Sequence, residues 1–166
     1  MPISELTWVV LIGVGATVVL DLWVAVLRSL GVQTLDFALM GRWVGHTFRG
    51  SFFQPSIRKA TPIPGERALG WITHYAVGIV FAGLLFSIVG RAWSQNPSPM
   101  PAVLVGLMTV FFPLFVMQPA MGSGFAASKT PAPLKNCLRS IVNHAIFGLG
   151  LYVSAVVLER VMESSP

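Results

Sequence analysis

The sequence predicts an all-helical integral membrane protein, a bundle of four transmembrane helices, on three observations. The chain is 54% hydrophobic and only 10% charged, where a soluble domain carries about 25% charged residues. So few charges cannot cover a water-exposed surface, so lipid must be the solvent for most of it. Four apolar stretches are each long enough to cross a hydrocarbon core, which takes about 20 residues of helix. Nine of the eleven Lys and Arg residues fall in two of the connecting segments, the asymmetry expected of loops held on the cytoplasmic side.

The first span is expected over residues 6–27, interrupted only by Asp21 and some small residues. No Lys or Arg precedes it and no small-residue cleavage site follows, so it reads as a retained helix rather than a secretory signal. The second span is expected over 68–90, the third over 101–121 and the fourth over 138–158, all within one domain, 1–166. Backbone polar groups in lipid must be satisfied within the segment, which selects helices over open sheet. Pro113 and Pro119 in the third span predict a kink or an early end near Gln118. Trp8, Trp71 and Trp93 fall near span ends, where an interfacial aromatic belt would put them. In the first long loop, Phe37, Met40, Val44 and Phe48 recur at helical spacing with Arg42, His46 and Arg49 elsewhere on the wheel. That pattern predicts a short amphipathic helix lying against the headgroups, followed by a turn at "TPIPGER".

The loop from Arg28 to Arg67 carries Arg28, Arg42, Arg49, Arg58, Lys59 and Arg67, and the loop from Gly122 to Arg139 carries Lys129, Lys135 and Arg139. Only Arg91 and Arg160 lie on the other side. Both termini are therefore expected outside, with the two basic loops in the cytoplasm on anionic headgroups. Basic residues split between loops in this way argue against a nucleic-acid partner. The single cysteine, Cys137, excludes an intrachain disulfide framework and reads as a small apolar filler.

Polar residues inside the spans carry the functional reading, because a charge at mid-bilayer costs roughly 2.5–3.5 kcal/mol on insertion scales. Asp21, His74, Gln118 and His144, with Asn143 beside the last, are expected at one depth in the cytoplasmic half, one such group from each helix. Their faces are lined with small residues every fourth position: Gly13, Thr17, Asp21, Ala25 and Ser29 in the first span, Gly70, His74, Gly78 and Ala82 in the second, and Ser140, His144 and Gly148 in the fourth. Such faces let helices approach closely. They could also serve contacts between two copies, which makes a homodimer an expectation. His-Tyr-Ala-Val-Gly in the second span and His-Ala-Ile-Phe-Gly in the fourth suggest two pseudo-repeated helix pairs, with Asp21 matching Gln118 and His74 matching His144.

Three readings of this polar layer stay open. It is a structural or small-ligand-binding hydrogen-bond network; or a proton or small-solute path, for which Thr109 and Ser87 are the best outward continuation; or a cofactor site. For the last, Asp21, His74 and His144 supply one carboxylate and two imidazoles for zinc or non-haem iron, or the two histidines flank a haem. In that case Gln118 and Asn143 would orient the ligands. No residue pattern specifies a reaction, and the reading leans away from an enzyme. The run Gly122, Ser123, Gly124 with Ser128 and Lys129 is a tight interhelical turn or a close-approach loop for an anion such as a lipid phosphate. His46 reads as a solvated loop residue.

Four segments, "GRWVGH", "GERALGWITHYAVG", "FVMQPAMGSGFAASKTP" and "NHAIFGLGLY", resemble a family of small bacterial membrane proteins, the domain of unknown function 2938. The resemblance runs from about Gly13 to Val157. It implies a four-helix protein of a bacterial inner membrane and implies no activity, cofactor or catalytic residue.

Overall fold

A computed structural model describes residues 4–164. The elements are α1 (Glu5–Ser29), α2 (Phe37–Phe48), α3 (Glu66–Val89), a short 3₁₀ turn (Arg91–Gln95), α4 (Pro99–Thr109), a π-helix (Phe112–Met117), α5 (Gln118–Ala120), a second 3₁₀ turn (Phe125–Ala127) and α6 (Pro133–Glu163). No strand occurs among the described residues. Four helical segments are long and apolar enough to cross a membrane: Glu5–Ser29, Glu66–Val89, Pro99–Ala120 and Pro133–Glu163.

Local chemistry sets these ends. Ser4 caps α1 by accepting from the Thr7 amide, and Asp36 caps α2 by accepting from the Ala38 amide. The third span departs from α-geometry where Pro113 removes a backbone donor, and the π-helix re-registers the chain so that the Gln118 amide reaches the Pro113 carbonyl. It does not stop at Gln118. It runs to Ala120, where the Gly122 amide bonds the Pro119 carbonyl (3.1 Å) and the Ser123 amide bonds the Gln118 carbonyl (2.8 Å). That pair of bonds is the Schellman cap, with Gly122 at φ +89 in the left-handed region. The fourth helix extends five residues beyond its expected range at either end. Its 31 residues run about 46 Å, more than the hydrocarbon thickness. Those ends carry Lys135, Asn136 and Arg139 at one side and Glu159, Arg160 and Glu163 at the other. Hydropathy marks where lipid stops, whereas the helix goes on until its backbone is capped.

The chain divides into two compact units. The first comprises Met1–Val32, Tyr75–Thr109 and Asn143–Pro166, the second Gln33–His74 and Val110–Val142. In the first unit the core is Trp8, Ile12, Ala16, Ala82, Leu85, Phe86, Trp93, Ala102, Val105, Phe147, Leu151 and Ala155. Backbones meet at glycines. A methyl at Gly13 would lie 2.6 Å from Ile79 Cα, so α1 and α3 touch there. One at Gly106 would lie 2.5 Å from the His144 carbonyl oxygen and 2.6 Å from Gly148 Cα, so α4 and α6 touch there. One at Gly150 would lie 2.9 Å from the Ala16 carbonyl oxygen, closing α1 on α6. The small-residue faces read from sequence are thus used within one chain, at Gly13, Thr17, Gly78 and Gly148, while Ala25 and Ser29 are exposed.

The second unit is held by a different pairing. Gly41 of α2 and Gly70 of α3 are buried against each other's backbones: a side chain at Gly41 would collide with the Glu66 carbonyl, one at Gly70 with the Phe37 carbonyl. The α2 helix forms as predicted, but its apolar stripe faces protein rather than headgroups. Phe37 and Met40 are buried, Phe37 lying 4.2 Å from the Trp71 ring, and only Phe48 at the end of the stripe is freely exposed. Two glycines on α2, Gly41 and Gly45, let it dock on α3 and the loop before it, and that contact overrides the amphipathic pattern. The tryptophan belt is corrected similarly. Trp8 and Trp93 are 7% and 8% exposed and belong to the core, with Trp93 Nε1 donating to the Ser98 carbonyl at 3.1 Å.

Because the α4–α6 approach leaves no room for a methyl, Gly106→Ala should cost on the order of 1–3 kcal/mol and lower the melting temperature in mild detergent. Gly83→Ala, whose new methyl would meet nothing nearer than Val9 Cγ1 at 3.7 Å, should leave it unchanged. Thermal unfolding followed by size-exclusion of the two variants checks this.

Candidate functional site: polar residues inside the spans

The intramembrane polar residues of the first unit are paired across helices. Tyr75 of α3 donates its hydroxyl to Asp21 Oδ2 of α1 at 2.9 Å. Trp23 of α1 donates its indole N–H to Asn143 Oδ1 of α6 at 3.1 Å. Thr109, closing α4, meets His144 Nδ1 of α6 at 2.8 Å. These bonds link all four spanning segments in the order α3, α1, α6, α4. Each accompanies a glycine contact between the same two helices. Ala16 and Gly150 meet seven residues before Trp23 and seven after Asn143, about 10 Å along both helices, so contact and bond lie at matched levels. Gly106 lies three residues before Thr109, and Gly148 four after His144.

The Thr109–His144 pair fixes the imidazole. Thr109 Oγ1 is 2.6 Å from the Gly106 carbonyl oxygen. Two oxygens that close need a proton between them, and the hydroxyl has only one. The imidazole must therefore donate from Nδ1, and in the neutral ring Nε2 is then the unprotonated nitrogen. The ring packs beside Phe81, with centroids 6.3 Å apart.

His74 and Gln118 belong to the second unit. The His74 ring lies 4.6 Å from that of Phe37 and 5.9 Å from that of Trp71. Gln118 Oε1 is buried and accepts no hydrogen bond from any described residue. Among the described residues, no group of three His, Cys, Asp or Glu side chains comes within reach of one metal ion.

The loop read as a close-approach or anion candidate folds as a strained turn. The Gly122 and Ser123 amides cap the third span, and the Lys129 amide bonds the Ser123 carbonyl at 2.9 Å. Gly124 has φ +76, and Ala126 and Ala127 follow at φ 47 and 60, two non-glycine residues in the left-handed region. Two amides of the run are thus engaged in the helix cap. Gly122 also admits the Pro55 carbonyl where a side chain would collide, so the close approach is to the chain's own backbone. Cys137 donates its thiol to the Ala126 carbonyl at 3.1 Å.

Sequence reasoning missed the partners. Tyr75 sits beside His74 and was overshadowed by it. Trp23 has no polar signature, and Thr109, read from the sequence only as an outward continuation of a proton path, is the group the third span gives to His144. It also missed the fork in the second unit, where Arg42 Nε and NH2 bond Glu66 Oε2 and Oε1 at 2.9 and 2.7 Å. Arg42 NH1 reaches the carbonyls of Ile57, Arg58 and Ala60, and Glu66 Oε2 also accepts from the Ile63 amide. Hydrogen bonding to Glu66 holds the Arg42 guanidinium above its usual pKa. His46, expected to be solvated, bonds the Thr61 carbonyl through Nε2 at 2.9 Å. A helix residue and one 24 positions on give no local pattern by which to find such a pair.

Four long apolar helices joined by basic loops define the class: an all-helical protein built to span a membrane several times. Residues 10–158 match the family described as Protein of unknown function (DUF2938), and the chain belongs to that family. No curated protein and no solved structure matches it.

The tautomer assignment predicts that, in ¹⁵N-histidine-labelled protein at neutral pH, one imidazole shows a protonated Nδ1 and an unprotonated Nε2. Thr109→Val should shift that resonance pair and no other. A protonated Nε2 with an unprotonated Nδ1 at His144 would show that the hydroxyl proton points at the ring instead.

Proposed function

We propose that this is a polytopic protein of a bacterial inner membrane whose buried polar residues form a structural hydrogen-bond network that sets the registration of its four helices. The observation that carries this reading is the series of three interhelical bonds, Asp21–Tyr75, Trp23–Asn143 and Thr109–His144, each on a different helix pair. Polar groups that bond one another across helices support a structural role, and such bonds average about 0.6 kcal/mol within membranes. Both termini lie on the outer side and the two basic loops on the cytoplasmic side, against anionic headgroups. Nine of eleven basic residues in those loops support that orientation. In this reading His74 is an aromatic packing residue. Gln118 Oε1 is the one position in the set where a small hydrogen-bond donor would gain a buried partner.

The network reading is tested against the cofactor reading in one preparation. Wild type and His144→Asn, purified in mild detergent without chelator, are compared by elemental analysis and thermal unfolding. The expected result is no stoichiometric iron or zinc in either protein, with a melting temperature a few degrees lower in the variant. Near-stoichiometric metal in the wild type, lost in the variant, would make the histidine a ligand and overturn the structural reading.

A further inference from the structure

The end of α2 and the segment that follows it carry features that neither helix packing nor the polar network uses. Phe48 and Phe53 are 81% and 70% exposed, and Phe52 is also exposed, with the exposed Arg49 among them. All lie outside the four segments long enough to cross a membrane. Exposed aromatic clusters of this kind in an aqueous loop mark a contact surface.

The segment is also held in shape. Trp43 Nε1 donates to the Phe52 carbonyl at 2.9 Å, the Trp43 and Phe52 rings meet edge-on at 5.5 Å, and Phe52 meets Phe53 at 5.0 Å. Its level is fixed as well. The Gln54 amide bonds the Ala120 carbonyl at 2.7 Å, and the Ile57 amide bonds the Met121 carbonyl at 3.1 Å. Ala120 is the last residue of the third spanning segment. The residue next to Phe53 is therefore tied by its backbone to the point where a span ends, at the boundary of the bilayer.

We infer that Phe48, Phe52 and Phe53 form a monotopic anchor in the cytoplasmic leaflet, seated at the junction of headgroups and acyl chains, with Arg49 on the lipid phosphates. Three arguments name the bilayer as occupant. The aromatic rings match the interfacial layer in which such side chains concentrate. The cationic neighbour matches an anionic headgroup surface. The backbone tether to Ala120 sets the segment at the depth where that layer lies. Of the α2 stripe to which the sequence pattern assigned the interfacial contact, only its last residue, Phe48, keeps that contact, joined by Phe52 and Phe53 beyond the helix. The inference rests on the proposed spanning topology.

The test places a nitroxide label at Phe53→Cys, and separately at the exposed span residue Val80→Cys, each in a Cys137→Ser background. The proteins are reconstituted in nanodiscs of phosphatidylglycerol or of phosphatidylcholine. Collision with oxygen against a water-soluble nickel complex gives the depth of each label. Expected is a label at 53 that is oxygen-accessible and shielded from nickel in phosphatidylglycerol, about 5–10 Å below the phosphates, and at least twofold more exposed to nickel in phosphatidylcholine. A label at 53 as open to nickel as a free nitroxide, while the label at 80 stays within the acyl chains, would overturn the anchor and leave the spanning topology intact. Equal depth in both lipids would overturn the role of Arg49. Shielding from both quenchers would mean that protein, such as a second copy, covers the segment, and would likewise overturn it. A label at 80 open to nickel would defeat the spanning topology itself.

Discussion

In lipid, two helices gain nothing from burying apolar surface against each other, because the acyl chains are as apolar as leucine. What holds them is close backbone approach, and three times in the first unit of this protein the approach is made at a glycine: Gly13 on Ile79, Gly106 on Gly148, Gly150 on Ala16. The polar side chains depend on these contacts. A Thr hydroxyl can reach the imidazole of His144 at 2.8 Å because Gly106 and Gly148 allow the two backbones to come together one turn away. Magnitudes separate the roles. Three interhelical bonds at about 0.6 kcal/mol each amount to less than the roughly 2.5–3.5 kcal/mol of inserting one charged residue. Packing at the glycines therefore carries the stability, and the bonds choose among registers that packing alone would leave nearly equal.

Asp21 is the residue for which this balance is least favourable. Its carboxylate accepts from the Tyr75 hydroxyl and lies in the C-terminal part of α1, seven residues before Arg28. In the second unit a different device does the ordering. The Arg42 guanidinium is planar and presents several donors in one fork. It gathers both oxygens of Glu66 and three loop carbonyls, and so folds the whole connection from α2 to α3 around one side chain. The loop's exposed aromatics are presented on that frame.

The spans were legible in the sequence because their signal is a sum over some 20 residues. Those of α1, α3 and the third segment fall within about two residues of their expected bounds. The small-residue faces with Gly13 and Thr17 on α1 and Gly78 on α3 were legible for the same reason, as repeats of small residues at one spacing. What could not be read was pairing. Asp21, Asn143 and His144 stood out because polar residues are rare in apolar runs, but their partners did not, since Tyr75 and Trp23 are interfacial residue types and Thr109 is common in helices. The stripe on α2 misled for a related reason: an amphipathic pattern states that one face is buried, not whether protein or lipid buries it. Gly41 and Gly45 on that helix were the available hint that a backbone would dock there. Trp8 and Trp93 carried the same ambiguity, and the core claimed both.

The central claim is that the polar groups within the spans act as pairs between helices. A double-mutant cycle on Trp23→Phe and Asn143→Leu, read as unfolding free energy in bicelles, tests it most directly, because no other bond joins that pair. The account predicts a coupling of about 0.6 kcal/mol, within the range up to ~1.7 measured for such bonds, with the double variant less destabilised than the sum of the singles. Strict additivity, with each single substitution costing its own amount, would contradict it and leave these residues without a shared structural role.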